Sequence, residues 1–376
     1  MKKKYWLYII LILIILVAGF FILRTRYYLP RNIENYLHLI PGHIGGGSSN
    51  DELIPYIQKY FFYSDNRLID IATDKSQDLI NRKAAMIVLR EREPIAKKAL
   101  DPLLSLLEDK TEDLLLRSSA AQSVSMISVD PVTGVVWSKK STLPLLKALD
   151  ETSSQEFKTK ELDETSKEYT FHISLVHSLG VLKDVRATQA LIEQTYNKEL
   201  EMLHWVAIDA LGFEGNINAT DRLTEILLDS TYRSNVARTK AANSLCSIKT
   251  PKIINSLTQI LSSQEIDDVE ILKQIITCLG NSNDKNAIKP LILEMERKDS
   301  DARIIMDVAS ALAKLDAKEA IPNLEQTFEL AKSCVYKNNS YDVANAVCYA
   351  LDDLKGIPHS ESTCRPEVDK IYKKCK

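Results

Sequence analysis

Residues 179–191 read LGVLKDVRATQAL, and the same pattern returns four more times downstream. LGFEGNINATDRL begins at Leu211, LCSIKTPKIINSL at Leu245, LGNSNDKNAIKPL at Leu279 and LAKLDAKEAIPNL at Leu312. The steps are 32, 34, 34 and 33 residues. Each copy carries a second leucine twelve positions on, at Leu191, Leu223, Leu257, Leu291 and Leu324. A period held this evenly marks stacked supersecondary units rather than one globular core.

Each copy is the junction between two helices. The first leucine closes a helix whose apolar residues recur at helical spacing, as in Val236, Ala237, Ala241 and Leu245. Gly180, Gly212 and Gly280 follow directly, where a left-handed residue is expected to terminate the helix. Five positions after the leucine, Asp184, Asn216, Thr250 and Asp284 are expected to cap the next helix, with Asp316 in that role in the fifth copy. Small or apolar residues follow (Ala187, Ala219, Ile253, Ala287, Ala320), and Pro290 and Pro322 fall in a first turn, where a missing N–H costs nothing. The unit is a helical hairpin that buries its apolar face against neighbouring hairpins.

These hairpins resemble the HEAT-repeat family of helical solenoids. Ala287–Leu291 and Ala320–Leu324 match the start of that family's first helix, and Arg238, Ala241, Ala242 and Leu245 complete the R-x-x-A-A-x-x-L signature of its second. The resemblance covers residues 78–355, strongly from 170 onward, and implies a scaffold and binding architecture rather than a defined chemistry. It also implies that the second helices border a groove. On that register His172, His204, Arg233, Arg238 and Arg303 are the candidate partner contacts.

Working outward, hairpins are already legible upstream at Ala84-Ala85 and Ala120-Ala121, with first-helix starts at Ala99 and Thr142. From Val124 to Leu179 the step stretches to 55 residues. A turn at Asp130–Gly134 lengthens one connection, and an acidic insertion, DETSSQEFKTKELDETSKE, occupies residues 150–168. Residues 51–355 thus form an all-α solenoid of seven to eight hairpins, opened by an aromatic helix (Tyr56, Tyr60, Phe61, Phe62, Tyr63) that reads as its N-terminal cap.

Residues 5–23, YWLYIILILIILVAGFFIL, carry no charge. As a helix they rise about 28 Å, close to the thickness of a bilayer core. Flanking tyrosines suit interfacial belts, and the apolar run is long for a cleaved signal peptide. The expectation is a transmembrane anchor over residues 1–26 and a Pro/Gly linker over 27–50. Lysines precede the span and arginines follow it, so charge alone leaves its direction open. The short basic N-terminus and the late cysteines favour a solenoid on the non-cytoplasmic side.

Without the five basic residues of that anchor, 43 basic face 51 acidic side chains, a balance that excludes nucleic acid as a natural partner. No cofactor loop, metal motif or nucleophile elbow occurs, so the chain reads as a non-enzyme that binds a protein partner. A second reading is an enzyme or accessory factor, because some HEAT-like proteins are bilin lyases. His172 and His177 lie five apart, off the shared helix face that a metal pair would use. Cys246 and Cys278 flank period leucines and read as small buried residues. Cys334, Cys348, Cys364 and Cys375 lie in the last 43 residues, where they read as candidate disulfide partners (Cys364 with Cys375 as one pairing), free thiols or, less simply, a zinc site. The tail 356–376 then forms a cysteine-containing cap. Two N-glycosylation triplets, at Asn218 and Asn338, decide nothing alone.

Overall fold

The computed structural model describes residues 53–375 apart from 93–95, 153–165, 198–199, 215–216, 233–234, 249, 264, 267 and 298–300. The apolar run 5–23, the linker, most of the acidic insertion and Arg233 lie outside the described residues. Among the described residues no helix is long and apolar enough to cross a membrane. Their regular structure is helical, with one isolated bridge between Val129 and Val136. The chain divides into two units, residues 1–127 with 150–174, and 128–149 with 175–376.

In the first unit, α1 (Ile54–Tyr60) packs on α3 (Leu79–Arg90). Tyr60 is buried there and its hydroxyl donates to Asn81. Hairpins form from α2 (Asp65–Thr73) with α3, and from α4 (Leu100–Glu108) with α5 (Leu114–Ile127). The second helices α3 and α5 lie side by side, as do α2 and α4. Helix α6 (Thr142–Thr152) ends in this unit, and α7 (Lys167–Val181) begins in it.

The signature arginine has a structural task. Seven positions before the period residue, Arg82 Nε donates to the carbonyl of Ala72 at 2.9 Å, and Arg117 Nε to that of Leu107 at 2.8 Å. Ala72 and Leu107 are the penultimate residues of α2 and α4, whose last carbonyls have no partner within the helix. Each guanidinium then reaches a carboxylate of the following repeat: Arg82 grips Glu112 through two 2.8 Å bonds, and Arg117 holds Glu151 at 3.2 Å while covering the ring of Phe171.

The second unit stacks the clearest repeats. Its first helices are α8 (Thr188–Gln194), α10 (Thr220–Leu228), α12 (Pro251–Ser263), α14 (Ile288–Met295) and α16 (Ile321–Lys332). Its second helices are the rest of α7, then α9 (Glu201–Glu214), α11 (Val236–Ile248), α13 (Val269–Gly280), α15 (Ala302–Lys314) and α17 (Ser340–Lys355). From α9 to α17 each second helix packs on the next. Both leucines of every copy are sealed: the five from Leu191 to Leu324 are 0% exposed and the five from Leu179 to Leu312 at most 1%.

The glycines do not end these helices in a left-handed residue. Gly180 and Gly212 lie inside α7 and α9, and none of the three has positive φ. They let second helices approach backbone to backbone instead. A Cβ at Gly180, Gly212 or Gly280 would sit 2.7, 2.8 or 2.7 Å from the Cα of Ala210, Ser244 or Ala311. The left-handed residue comes three or four positions later, at Lys183, Asn283 and Asp316. Asp316 therefore makes the turn rather than the cap, and the neighbouring Ala317 offers no side-chain bond. Asp184 and Asp284 do cap, accepting from Arg186 N and Asn286 N at 3.1 and 2.9 Å.

The long step has two sources. The period leucine precedes the next first helix by nine residues at 179–188, 211–220, 279–288 and 312–321, but Val124 precedes Thr142 by eighteen. The extra residues make the 128–141 connection, and the remainder lies in the acidic insertion. Beyond α17, helix α18 (Arg365–Lys374) packs on α17 and α16 and closes the stack. Val368 and Ile371 are its buried residues.

Candidate functional site

Residues available to a partner on the second helices are those that stacking leaves outside. On α9 and α11, Lys240 Nζ meets Asp209 at 2.6 Å. On α13 and α15, Glu270 accepts from Lys273 and from Arg303, each at 3.3 Å, and Arg303 also holds Asp301 at 3.1 Å. Burial lifts the Asp307 carboxyl above the usual carboxylate range, with Lys273 pulling the other way. Solvated pairs of this kind add a few tenths of a kcal/mol each, so this row of charge is not what holds the repeats together.

The five candidate contacts separate sharply. Arg303 is half-exposed in this row. Arg238 is buried, and its Nε donates to Leu227, again the penultimate residue of a first helix, at 2.9 Å. It repeats the task of Arg82 and Arg117 and borders no open surface. His172 and His204 occupy the same repeat position, seven before Leu179 and Leu211, and both are buried. His172 Nδ1 shares a 2.8 Å hydrogen bond with Thr152 Oγ1 at the end of α6. The His204 ring stacks on Tyr232 with centroids 5.4 Å apart. The expectation that Arg238, His172 and His204 face a groove is therefore corrected: all three are buried, Arg238 and His172 against the end of their hairpin partner and His204 against Tyr232. Arg233 falls outside the described residues.

The cysteines close into three bridges, Cys246–Cys278, Cys334–Cys375 and Cys348–Cys364, with Cα–Cα distances of 5.5, 5.4 and 5.8 Å. The first joins α11 to α13, although both residues read as simple apolar packing. The signal lay in their offsets, one after Leu245 and one before Leu279, which turn them toward each other across adjacent second helices. Cys364 and Cys375 stand at opposite ends of α18 and do not meet; each reaches back to the last hairpin. Cys348, Asp352 and Cys364 bring potential metal-ligating atoms within 4.8 Å of one another. The two sulfurs are bonded to each other, so they are not available as a pair of thiolate ligands.

No protein-family model matches this chain, and neither does any curated protein. Among solved structures it is similar to human deoxyhypusine hydroxylase in complex with glycerol. The two share 14% identity over 85% of this chain and 98% of that one, with a TM-score of 0.31. A likeness that slight transfers neither fold nor activity.

Proposed function

We infer that this chain is a membrane-anchored helical-repeat scaffold that binds a protein partner through the outer row of its second helices. The observation that carries the reading is the row Asp209, Lys240, Glu270, Lys273 and Arg303, which spans four successive second helices of one unit and is not needed for stacking. Arginine and aromatic residues dominate interface energies once desolvated, so Arg303 is the leading contact. The acidic insertion at 150–168 favours a basic partner through its association rate.

The uncharged run 5–23 supports anchoring by one transmembrane helix. Three bridges that use all six cysteines support a repeat domain on the non-cytoplasmic side, since disulfides persist in oxidising compartments. The test is crosslinking in intact membranes with the unaltered chain, a Lys240→Glu/Arg303→Glu variant and a deletion of residues 152–166. The reading expects proteins captured by the unaltered chain to be lost from at least one variant whose thermal unfolding is unchanged. Identical capture by all three removes the second-helix row as the binding surface.

A further inference from the structure

The three bridges differ in what surrounds them. Cys375 stands at the C-terminal end of α18, where the helix dipole disfavours a thiolate. Cys364 stands at the other end of this ten-residue helix, as its N-cap, where free N–H groups and the dipole favour one. Its partner Cys348 is fully buried, whereas Cys364 is partly exposed. One turn beyond Cys348 lies Asp352, 2% exposed. Its carboxylate oxygens face the two sulfurs, Oδ2 at 3.9 Å from Cys348 Sγ and Oδ1 at 3.8 Å from Cys364 Sγ.

A cystine carries no S–H, so among the described residues this buried carboxyl has no donor while the bridge is closed. Ser362 Oγ lies 3.4 Å from both sulfurs. The neighbouring charges are engaged elsewhere. Asp353 pairs with His359 and Lys355 with Glu325, Arg365 covers the Tyr349 ring and donates to Asn345, and Glu367 pairs with Lys370. Neither of the other two bridges has a buried carboxyl at its sulfurs.

We propose that Cys348–Cys364 is a thiol–disulfide exchange site with Asp352 as its proton donor and acceptor. A thiolate of an incoming dithiol attacks the partly exposed Cys364 Sγ, the Cys348–Cys364 bond breaks, and its electron pair leaves on Cys348. A buried thiolate beside a carboxylate is disfavoured, so a proton shed by the dithiol reaches Cys348 Sγ by way of Asp352. The second thiol then attacks the mixed disulfide and releases Cys364 as a thiolate at the start of α18. The incoming molecule departs as a disulfide, two electrons poorer. Of its two protons, one has passed through Asp352 to Cys348 and the other goes to Cys364 or to water. Exchange frees the first end of α18 while Cys375 keeps the second end tethered. This activity is stoichiometric and independent of any partner on the second-helix row.

The test uses the full chain and dithiothreitol as the dithiol, with acid quenching, maleimide trapping and mapping of the labelled cysteines. Cys348 and Cys364 are expected to become labelled at least tenfold faster than the other four. Asp352→Asn should slow that reaction at least tenfold and reduce its solvent deuterium isotope effect, leaving the rates at the other two bridges unchanged. Those two rates also report that the variant is folded. Equal rates at all three bridges, or another bridge opening first, overturns the proposal in the unaltered chain even if the variant fails to fold. A folded Asp352→Asn variant with an unchanged rate and isotope effect overturns the part given to Asp352.

Discussion

In the first unit, the position seven before the period residue holds Arg82 and Arg117, each tied to a helix-end carbonyl and to a carboxylate of the next repeat. In the later repeats of the second unit it holds Leu272 and Ile305, both buried in apolar surroundings. There the cohesion across repeats comes from sealed leucines, close glycine contacts and a cystine between α11 and α13. One slot in one architecture is thus filled by guanidinium, imidazole or aliphatic side chains, with Arg82 and Arg117 at one extreme and Leu272 and Ile305 at the other. A hydrogen-bonded guanidinium makes stacking specific but leaves a buried charge to be matched, whereas an aliphatic side chain needs no partner and fixes less. The two units should therefore fail under different stresses.

The largest effect is expected where the apolar mode is violated. Leu279→Asp places a carboxylate at a 0% exposed position and should cost more than about 4 kcal/mol. Hydrogen exchange should rise first in α13 and the hairpins beside it, because solenoid contacts are between neighbours. Uniform loosening across both units would break the comparison. Next comes the covalent link: replacing Cys246 and Cys278 by alanine should cost about 3–4 kcal/mol on a chain-entropy argument for a separation of 32 residues. Denaturant unfolding with and without reductant measures it, and the variant should lose most of its response to reductant in the α11–α13 region.

Arg117→Met sharpens the other side. It strands the Leu107 carbonyl and leaves Glu151 to Lys110 alone, for a cost of about 2 kcal/mol that should appear in the first unit alone. Arg117→Lys should recover only part, since one ammonium does not reproduce the two directions of the guanidinium. The smallest effect is acid sensitivity at Asp184, whose carboxyl is held at about 2, chiefly by its hydrogen bonds to the Arg186 guanidinium and with help from Thr142. A depressed carboxyl stabilises the fold above its unfolded value near ~4 and loses that contribution as pH falls toward 2. Asp184→Asn should therefore flatten stability between about pH 4 and pH 2, read by thermal unfolding across that window. An unchanged slope would remove Asp184 from the acid response.

The register of the stack was legible because it rests on burial: ten leucines at fixed spacing have one way to be sealed at once. Roles that depend on how closely two backbones approach were not legible. Gly180, Gly212 and Gly280 look like helix ends in the sequence, and only the distances to Ala210, Ser244 and Ala311 show that they are contact points. The signature arginine misled for a related reason. Charge suggested an outward residue, while the carbonyls at the end of a first helix supply an inward destination that no local pattern spells out. The buried histidines in the same slot turn inward too, His172 to the Thr152 hydroxyl and His204 to the Tyr232 ring. The bridge between Cys246 and Cys278 needed the register of two stacked helices, which offsets of plus and minus one encode faintly.

The glycine contacts carry a mechanical consequence for the second unit. At these three glycines, layers meet backbone to backbone along the second helices and leave no room there for a side chain. A single methyl at Gly212 or Gly280 would meet the backbone of the next second helix at under 3 Å, so the spacing between neighbouring second helices is a property that one residue sets.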